Sequence, residues 1–433
     1  MNDLAHRLTS PMNAAADAVA RPRMNRGGIF GALDVGTTKI ACLIGRAESD
    51  QTLRVLGFGW QRGQGVRGGG ITDIEAAERA IRAAVAQAED MADHHLSHLT
   101  VNLSCGQPQS RLYHVQWPIG GRTVTAADVR QMVREGQNRA RAEGREVIHS
   151  LPIDFMADET EGVRDPTGLH CDQLTARLHV LDAATGPLRN LETAIGHADL
   201  TISDHVSAPY AAGLATLVED ERELGAIVID MGGGTTSLAV FAEGQLLHTA
   251  QLPVGGVLVT ADLARGLSTS LANAERLKTL YGNLQASPDD DQEMLPVPLV
   301  GEEEHQYQRV PRSMLVGIIR PRLEETFELL RDRLEQAGLG AAAEARVVLT
   351  GGGSQLIGVR ELAGKILNRQ VRLGRPLGVR GLPESASGPA FATAAGLLAY
   401  AAGDGRSIAS SENDPNNSPG LLDRILNFLR MNP

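Results

Sequence analysis

Aromatic residues and cysteines are both scarce in this sequence. Phe, Trp and Tyr make up 3% of the 433 residues, so Ala, Val, Leu and Ile must fill most of any core. The three cysteines, Cys42, Cys105 and Cys171, lie far apart and show no CxxC or Cys/His spacing. This usage argues against a disulfide framework and a thiolate metal site, and it indicates a reducing compartment.

Positive charge and long apolar runs are lacking as well. The net charge of -11 argues against nucleic-acid binding, which needs clustered Lys and Arg. No apolar run approaches the roughly 18 residues that cross a bilayer, and residues 1–25 contain no apolar signal core. We therefore predict a cytoplasmic protein whose contacts with a membrane are local. Residues 1–27 have no sustained period and predict a disordered arm.

One motif occurs twice. The sequences LDVGTTK at 33–39 and IDMGGGTT at 229–236 each lie between short apolar, β-branched runs, which predicts strand, tight turn, strand. Glycines let a backbone approach a phosphate closely, threonine hydroxyls add donors, and the Asp ending the first strand can hold a metal through water. The repeat therefore predicts a metal-nucleotide clamped between two related domains.

A third glycine turn follows. The sequence TGGGS at 350–354 comes after a predicted strand, 346–349, and before a predicted helix, 356–367, a unit that would aim free N–H groups above the strand end. After two acidic hairpins, this turn is the expected third wall of a nucleotide site. The candidate phosphate-binding residues of the three turns are Asp34, Gly36, Thr37, Thr38, Lys39, Asp230, Gly232, Gly233, Gly234, Thr235, Thr236, Gly351, Gly352, Gly353 and Ser354, and Asp34 and Asp230 are also the candidate magnesium-binding residues.

Two insertions interrupt this pattern. Residues 107–186 show an α+β alternation, and residues 253–330 form a second insertion that begins with a predicted helix over 256–281. The glycine-rich loop 61–70 has no phosphate-facing helix N-terminus with a hydroxyl or Lys after it, so we interpret it as a surface turn.

Two helices rich in small residues are predicted at 207–215 and 388–398. Small side chains let two helices pack at close range. The pair is either a hinge between the two halves or ordinary core packing.

The two hairpins and the glycine turn, in this order, resemble the actin-like ATPase superfamily, which includes sugar kinases and heat-shock chaperones. The segment AERLKTLYG at 274–282 is similar to the superfamily's adenosine-contact helix, in which a Glu and a Lys reach the ribose and base. The resemblance implies these contacts for Glu275 and Lys278, whose i, i+3 spacing puts them on one helix face. As a pair alone, they would more often form a solvated salt bridge.

Over residues 29–400 the chain resembles the FtsA family of bacterial cell-division proteins more closely. The telling segments are EDERELG at 219–225, LTGGGSQL at 349–356 and the insert after LSCG at 103–106. The resemblance implies an α/β, actin-like (ribonuclease H-like, duplicated) two-domain fold of four subdomains, with ATP and Mg²⁺ in the cleft and an α+β insert, 1C, in place of the usual second subdomain. The implied boundaries are subdomain 1A at 28–106 and 187–224, the SHS2-like 1C at 107–186, subdomain 2A at 225–252 and 331–401, and subdomain 2B at 253–330.

The chain end predicts a membrane contact. Residues 402–419 form a Ser/Asn/Asp/Gly/Pro-rich linker, and residues 420–433 place apolar side chains at helical spacing. Such a helix either docks on the core or lies on a membrane, and the long tether favours the membrane. The predicted membrane-binding residues are Leu421, Leu422, Arg424, Ile425, Leu426, Phe428, Leu429 and Arg430.

The resemblance also implies partners and a location. It implies self-assembly into a polymer, recruitment of the tail of the tubulin-like protein FtsZ by 2B, and contact of 1C with late division membrane proteins. Arg312, Arg320 and Arg322 are candidate FtsZ contacts, or they form a solvated basic face. The protein would then be peripheral on the cytoplasmic side of the inner membrane at the division septum.

Turnover is predicted to be slow or absent. Efficient hydrolysis in this superfamily needs a polar group that orients water, and rod-shape filament proteins carry a Glu just before the Pro of the small-residue helix. Here Ala208 precedes Pro209, so we name no catalytic residue. Two other functions remain open on the same fold: a sugar or acetate kinase, and a pilus-type assembly ATPase that binds a short peptide of a membrane partner.

Overall fold

The computed structural model describes residues 28–48, 52–285, 287–302, 307–339 and 345–404. The strands are β1 (Ile29–Val35), β2 (Lys39–Ala47), β3 (Leu53–Arg62), β4 (Val66–Arg67), β5 (Gly70–Ile71), β6 (His98–Leu103), β7 (Gln109–Pro118), β8 (Arg145–Ala157), β9 (Thr160–Val163), β10 (Gln173–Ala184), β11 (Thr201–Ser207), β12 (Ala226–Met231), β13 (Thr236–Ala242), β14 (Gln245–Leu252), β15 (Met294–Pro298), β16 (Tyr307–Pro311), β17 (Arg346–Thr350), β18 (Val371–Leu373) and β19 (Val379–Arg380). The α-helices are α1 (Ile74–Ala92), α2 (Ala126–Ala140), α3 (Thr185–His197), α4 (Ala208–Thr216), α5 (Glu219–Leu224), α6 (Gly256–Gly266), α7 (Leu271–Tyr281), α8 (Arg312–Gln336), α9 (Val359–Leu367) and α10 (Ala392–Ala399).

Two sheets repeat one topology. The first has the order β11-β6-β1-β2-β3-β19 and the second the order β14-β13-β12-β17-β18. Each sheet contains a three-stranded antiparallel meander, β1-β2-β3 or β12-β13-β14. The other edge of its first strand pairs with parallel strands, β6 and then β11 in the first sheet, and β17 and then β18 in the second. Strands β1 and β12 are buried along most of their length, which suits their apolar composition. The duplicated hairpins therefore occupy equivalent positions in two equivalent sheets.

The segment near the end of the described chain returns to the first sheet. Strand β19 pairs with β3, and α10 packs against β1 and β2. The predicted subdomain segment 331–401 therefore contributes to both sheets. The reason is that α10 is buried on all sides and needs apolar partners from both halves.

Helices α4 and α10 cross at close range, as their small residues predict. A Cβ at Gly396 would lie 1.7 Å from the carbonyl oxygen of Ala211, so this crossing requires glycine. The pair belongs to one apolar cluster that also contains residues from β1, β2, β12 and β13. The two domains thus share a core along these helices.

The insert is a four-stranded sheet with one helix. Its order is β7-β10-β8-β9, and α2 packs on β7, β8 and β10 around its own apolar cluster. The second insertion contains α6, α7, α8 and the small β15-β16 sheet. Both insertions leave the sheets intact.

Three helix predictions need correction. The helix predicted over 388–398 begins only at Ala392, after a 3₁₀ turn over Pro389–Phe391. The helix predicted over 256–281 is divided into α6 and α7, because Ser268 adopts a φ of 48° and Ser270 caps a new helix through the N–H of Asn273. The helix predicted from 356 begins only at Val359, after a 3₁₀ turn over Gly352–Gln355 and Gly358 at a φ of 83°. Among the described residues, no helix is both long and apolar enough to cross a bilayer.

Candidate functional site

The two hairpins close with the same hydrogen bond. The N–H of Gly36 donates to the carbonyl of Lys39 at 2.9 Å, and the N–H of Gly232 donates to the carbonyl of Thr235, also at 2.9 Å. A Cβ at Gly36 would lie 2.7 Å from the Lys39 oxygen, and one at Gly232 would lie 2.9 Å from the Thr235 oxygen. Both turns therefore require glycine at this first position, for the same steric reason.

The tips of the hairpins face each other and touch. A Cβ at Gly233 would lie 2.5 Å from Cγ2 of Thr38, and one at Gly234 would lie 2.3 Å from Oγ1 of Thr37. Threonines of the first hairpin thus fit against glycines of the second.

A cavity of about 220 Å³ lies beside this contact. It is smaller than the roughly 300–1,000 Å³ of typical ligand pockets, and its size suits phosphate groups. The residues that line it are Asp34, Val35, Gly36, Thr37, Thr38, Lys39, Gly69, Asn102, Ser104, Ala208, Asp230, Gly232, Gly233, Gly234, Thr235, Gly351, Gly352, Ala390 and Thr393.

Lys39 lies near the acids of both hairpins. Burial raises the pKa of Asp34 to about 6, against a lowering by Lys39 and with a further rise from Asp230. Burial also raises the pKa of Asp230, and it lowers the pKa of the Lys39 ammonium, which the two acids raise. The site therefore combines the buried Asp34 with the partly buried Asp230 and Lys39, two acids for one ammonium. Such hard oxygen donors suit a hydrated divalent cation such as Mg²⁺.

Lys39 is held by the segment that leads into α10. Its ammonium donates to the carbonyl of Ala390 and lies 3.5 Å from the centroid of the Phe391 ring. The Phe391 ring meets Phe58 edge to face at 5.4 Å. The first hairpin is therefore tied to the segment before α10 through its only lysine.

The third glycine turn acts differently from its prediction. Gly351 and Gly352 line the cavity, but the N–H of Gly351 donates to the carbonyl of Pro389 at 3.1 Å and is not free. Gly353 packs against Met231, and Ser354 is buried with its hydroxyl donating to the Gly351 carbonyl at 2.7 Å. Gly351 is needed for its φ of 81° and for the space that Asp230 occupies.

Three other predicted residues lie outside the lining of this cavity. Thr236 is buried in β13, where it pairs with Met231. Glu275 and Lys278 pair with each other at 2.7 Å, and Lys278 also donates to Thr260 at 2.8 Å and to the Gly256 carbonyl at 3.0 Å. The last two contacts brace the start of α6.

The start of α6 supports the second hairpin in turn. The N–H of Gly256 donates to the Gly232 carbonyl at 3.0 Å, and the N–H of Val257 donates to the Gly233 carbonyl at 2.8 Å. The carbonyls of this hairpin are therefore turned toward α6. In the first hairpin, the N–H of Gly63 binds the Thr38 carbonyl at 2.9 Å.

Sequence reasoning missed several lining residues. Gly69 belongs to the loop interpreted as a surface turn, yet its N–H donates to Oγ1 of Thr37 at 3.3 Å, so that interpretation is wrong. Asn102 holds the end of β1 by accepting from the Val35 N–H at 2.7 Å. Thr393 donates to Oδ2 of Asp230 at 2.9 Å. A polar residue at the end of a buried strand, as Asn102 is, could have been a signal, whereas Thr393 lies in the predicted small-residue helix 388–398, whose pattern indicates packing and does not mark this threonine as a site residue.

The three arginines predicted as partner contacts are all ion-paired. Arg312 pairs with Glu293 at 2.7 Å, Arg320 with Glu324 at 2.8 Å, and Arg322 with both Asp262 and Glu325. All three side chains remain partly exposed. The predicted membrane-binding residues, 421–430, lie outside the described residues.

A second cavity of about 500 Å³ lies between the insert and the first sheet. One wall is residues 146–151 of β8 and the other is residues 200–205, which include most of β11. Strand β11 is an edge strand, and β9 covers β8 only at Phe155 and Ala157, so two strand edges face this groove. Among the side chains along it are Glu146, Glu192 and Asp204.

His149 lies at the base of this groove and ties its walls together. Its Nε2 is 3.1 Å from the carbonyl oxygen of His205, its ring stacks on Tyr400 at 6.4 Å, and its Nδ1 has no hydrogen-bond partner within the described part of the chain. Burial lowers the pKa of His149 to about 4. A neighbouring buried histidine, His179, forms a hydrogen bond of 2.6 Å between its Nε2 and the hydroxyl of Ser110. Burial lowers the pKa of His179 to about 3.

Comparisons with known proteins agree on one family. A family model described as "Cell division protein FtsA" matches residues 227–396, and one described as "SHS2 domain inserted in FTSA" matches residues 105–181. The chain is 44% identical over 386 residues to the cell division protein FtsA of Rhizobium meliloti, with 87% of each chain covered. It is 33% identical to FtsA of Pseudomonas aeruginosa, covering 94% of this chain and 98% of that one, and 34% identical to FtsA of Escherichia coli, covering 85% and 89%.

Solved structures share the fold at low sequence identity. The PilM-PilN type IV pilus biogenesis complex matches with a TM-score of 0.61 and 19% identity, covering 86% of this chain and 98% of that one. MreB5 of Spiroplasma citri bound to ADP matches with a TM-score of 0.51 and 14% identity, covering 86% and 95%. These likenesses confirm the predicted α/β, actin-like fold with an inserted domain.

Proposed function

The chain belongs to the FtsA family of bacterial cell-division proteins, and we propose that it binds ATP with Mg²⁺ between its two domains and assembles on the cytoplasmic membrane as a tether for FtsZ. The observation that carries the nucleotide proposal is the pair of equivalent hairpins that face each other across one cleft. Family membership supports the role in cell division, and the geometry supports the ligand.

The residues present fit a magnesium-nucleotide. Asp34 and Asp230 would hold the hydrated ion, which neutralises phosphate charge when it is bound. Lys39 and the hydroxyls of Thr37 and Thr38 would reach phosphate oxygens from the first hairpin. The second hairpin would contribute backbone N–H groups, because its glycines leave the backbone bare.

Glu275 and Lys278 keep their proposed role in adenosine binding. They lie one helix behind the second hairpin, on the side of the cleft that α6 closes. Thr260 satisfies part of each charge, so a nucleoside would have to compete with an existing ion pair. This arrangement supports modest selectivity for the base.

Slow hydrolysis is part of the proposal. Ala208 lines the cavity where the superfamily places a water-orienting side chain, and Asp34 and Asp230 are the acidic residues among the described lining residues. Both carboxylates are assigned to the metal. Steady-state phosphate release as fast as that of actin filaments would contradict this part of the proposal.

Membrane attachment is proposed for residues 420–433. A single short amphipathic helix with two basic residues binds weakly, and many helices aligned on one polymer multiply the effect. Polymerisation and membrane binding would therefore be coupled. Liposome binding that stays strong for an assembly-deficient monomer would contradict the coupling.

FtsZ recruitment is proposed for the second insertion, near the start of α8. The ion pairs of Arg312, Arg320 and Arg322 mean that an acidic tail would exchange with carboxylates already present, such as Glu293. Such exchange gives a weak, salt-sensitive contact, which suits reversible recruitment.

Late division membrane proteins are proposed to bind at the insert. The groove between β8 and β11 offers two strand edges, to which an extended peptide could add backbone hydrogen bonds. Glu146, Glu192 and Asp204 would favour a peptide with basic side chains. The relatives at 33–44% identity are division proteins, so we favour this reading over the pilus-type and sugar-kinase alternatives.

Two experiments test the proposal. Calorimetry of the purified full chain with Mg-ATP should detect binding, and the Asp34→Ala/Asp230→Ala double variant should lose it. Sedimentation with anionic liposomes and FtsZ filaments, with and without residues 420–433, should show FtsZ recruitment only for the full chain. The variant Ile425→Glu is a matched control that keeps the chain length. Absence of nucleotide binding would overturn the nucleotide proposal, and recruitment unaffected by truncation would overturn the tether.

A further inference from the structure

One oxygen of the Asp230 carboxylate is held by a hydrogen bond, and the other occupies space that a glycine leaves. Thr393 donates to Oδ2 at 2.9 Å, and a Cβ at Gly351 would lie 2.3 Å from Oδ1. The Thr393 hydroxyl therefore orients the carboxylate in a position that is open only because residue 351 is glycine. The influences on Asp34 are burial, Lys39 and Asp230, with no hydrogen-bond donor among them.

The position of Thr393 is itself rigid. Thr393 lies in the first turn of α10, which is pressed against α4 at Gly396. The carbonyl of Pro389, just before this turn, accepts from Gly351 at 3.1 Å. The threonine that bonds Asp230 and the glycine that leaves room for it are therefore linked through Pro389.

We propose that Thr393 is a positioning residue for Asp230, whose hydroxyl holds the carboxylate in the orientation that receives the hydrated magnesium ion accompanying the nucleotide phosphates. This inference rests on the proposed nucleotide function. An acid that is already oriented loses no rotational freedom when the ion arrives, so the metal-dependent part of the affinity rises. A purely structural role for Thr393 would instead change stability and leave the metal dependence alone.

The test compares nucleotide affinity with and without the metal. Thr393→Val keeps the shape and removes the hydroxyl, whereas Thr393→Ser keeps the hydroxyl. Calorimetry with ATP should show that Thr393→Val binds about ten-fold or more weakly than wild type in Mg²⁺ and nearly equally in EDTA, since a hydrogen bond to a charged group is lost. Thr393→Ser should restore the affinity.

A matched control is Thr216→Val, another buried helix threonine, whose hydroxyl bonds the Ala212 carbonyl at 2.7 Å away from the site. It should leave the affinity unchanged. The unfolding midpoint of each variant is measured in parallel, and Thr393→Ala serves if Thr393→Val does not fold. In an Asp230→Asn background, Thr393→Val should have no further effect on the affinity in Mg²⁺.

Failure of this inference differs from failure of the nucleotide proposal. Wild-type affinity for Mg-ATP in Thr393→Val, an equal loss in EDTA, or a full loss persisting in the Asp230→Asn background would each overturn the role of Thr393 while nucleotide binding stands. A wild-type protein that binds no ATP would overturn both.

Discussion

The two hairpins share a frame and differ in chemistry. Both close with a glycine N–H bonded to the carbonyl three residues later, at the same 2.9 Å. The first carries two threonines and a lysine at its tip, whereas the second carries glycines and Thr235. The two hairpins thus share a backbone geometry and differ in what they present at the tip. The first presents hydroxyl and ammonium groups, and the second presents a backbone that is not covered by side chains.

The acids of the hairpins differ in the same way. Asp230 accepts a hydrogen bond from Thr393 and fills the space that Gly351 leaves, whereas among the described residues the pKa of Asp34 is set by burial and by the charges of Lys39 and Asp230. Burial without a donor is costly for a carboxylate. The first hairpin is therefore the electrostatically strained one, and the second is the sterically constrained one.

A substitution that disrupts the contact between the two hairpin tips should have the largest effect on ATP affinity. In Gly234→Val the new side chain would clash with Oγ1 of Thr37 and with the backbone of Gly68. Because a clash with backbone is not relieved by a change of side-chain rotamer, the two hairpin tips cannot keep their contact and the cleft cannot close around phosphate. We expect ATP affinity to fall about 100-fold or more by calorimetry, as overpacking costs about 1–3 kcal/mol and the site also loses its geometry.

A control and a rescue sharpen this prediction. Gly352→Ala lies in the same cavity, but its Cβ would meet nothing within 4 Å, so affinity should stay within about two-fold of wild type. The three atoms nearest to a Cβ at Gly233 all belong to the side chain of Thr38, so adding Thr38→Ala to Gly233→Ala should recover part of the loss. Normal binding by Gly234→Val would show that the two hairpins do not close on the ligand.

Replacing the buried Asp34 carboxylate with a neutral group should stabilise the nucleotide-free protein. The Asp34 carboxyl has a pKa of about 6 when folded and about 3.8 when unfolded, so the folded state binds more protons between these values. Stability therefore falls as pH rises from about 4 to 6 and stays lowered above that. Asp34→Asn should raise the free energy of unfolding by about 2 kcal/mol at pH 8, with a smaller gain at pH 5.

The comparison variant is Asp230→Asn, measured by urea unfolding in EDTA at both pH values. Burial raises the pKa of Asp230 as well, but the Thr393 hydroxyl bond opposes that rise and no such bond acts on Asp34, so the gain should be smaller than for Asp34→Asn. Equal gains from the two variants would show that the hairpins are electrostatically equivalent.

The sequence predicted what depends on local pattern. The repeated Asp-x-Gly motif, strand order around it and the small-residue helices 207–215 and 388–398 all have local signals, and the structure brings the hairpins and helices together. The confirmed fold class came from these motifs in their order along the chain. Element types were therefore more predictable than the contacts between them.

The features that the sequence did not predict depend on tertiary contacts. Thr393 contacts Asp230 across 163 positions, and Gly69 reaches Thr37 only because β3 folds back beside β2. The turn at 350–354 was predicted to present free N–H groups, but the Gly351 N–H bonds to Pro389, which comes from another element. Whether a position requires glycine depends on the atoms that pack against it in the folded protein, and a single sequence does not show those contacts.

The smallest predicted effect lies at the insert, where the pH dependence should have the opposite sign. His149 has a pKa of about 4 when folded and about 6.5 when unfolded, so between these values the unfolded state binds the proton. This histidine therefore destabilises the fold as pH falls from about 6.5 toward 4, whereas Asp34 stabilises it over a similar range.

His149→Gln should weaken the fold at pH 8, because the ring packs against Tyr210 and Tyr400, but it should remove part of the loss on acidification. We expect the drop in unfolding free energy between pH 8 and pH 6 to be about 1 kcal/mol smaller than in wild type. Urea unfolding at four pH values measures this slope apart from the packing loss, which is the same at every pH. A wild-type slope in His149→Gln would mean that the buried ring does not set the acid sensitivity of the insert, and the contrast with Asp34 would then rest on the cleft alone.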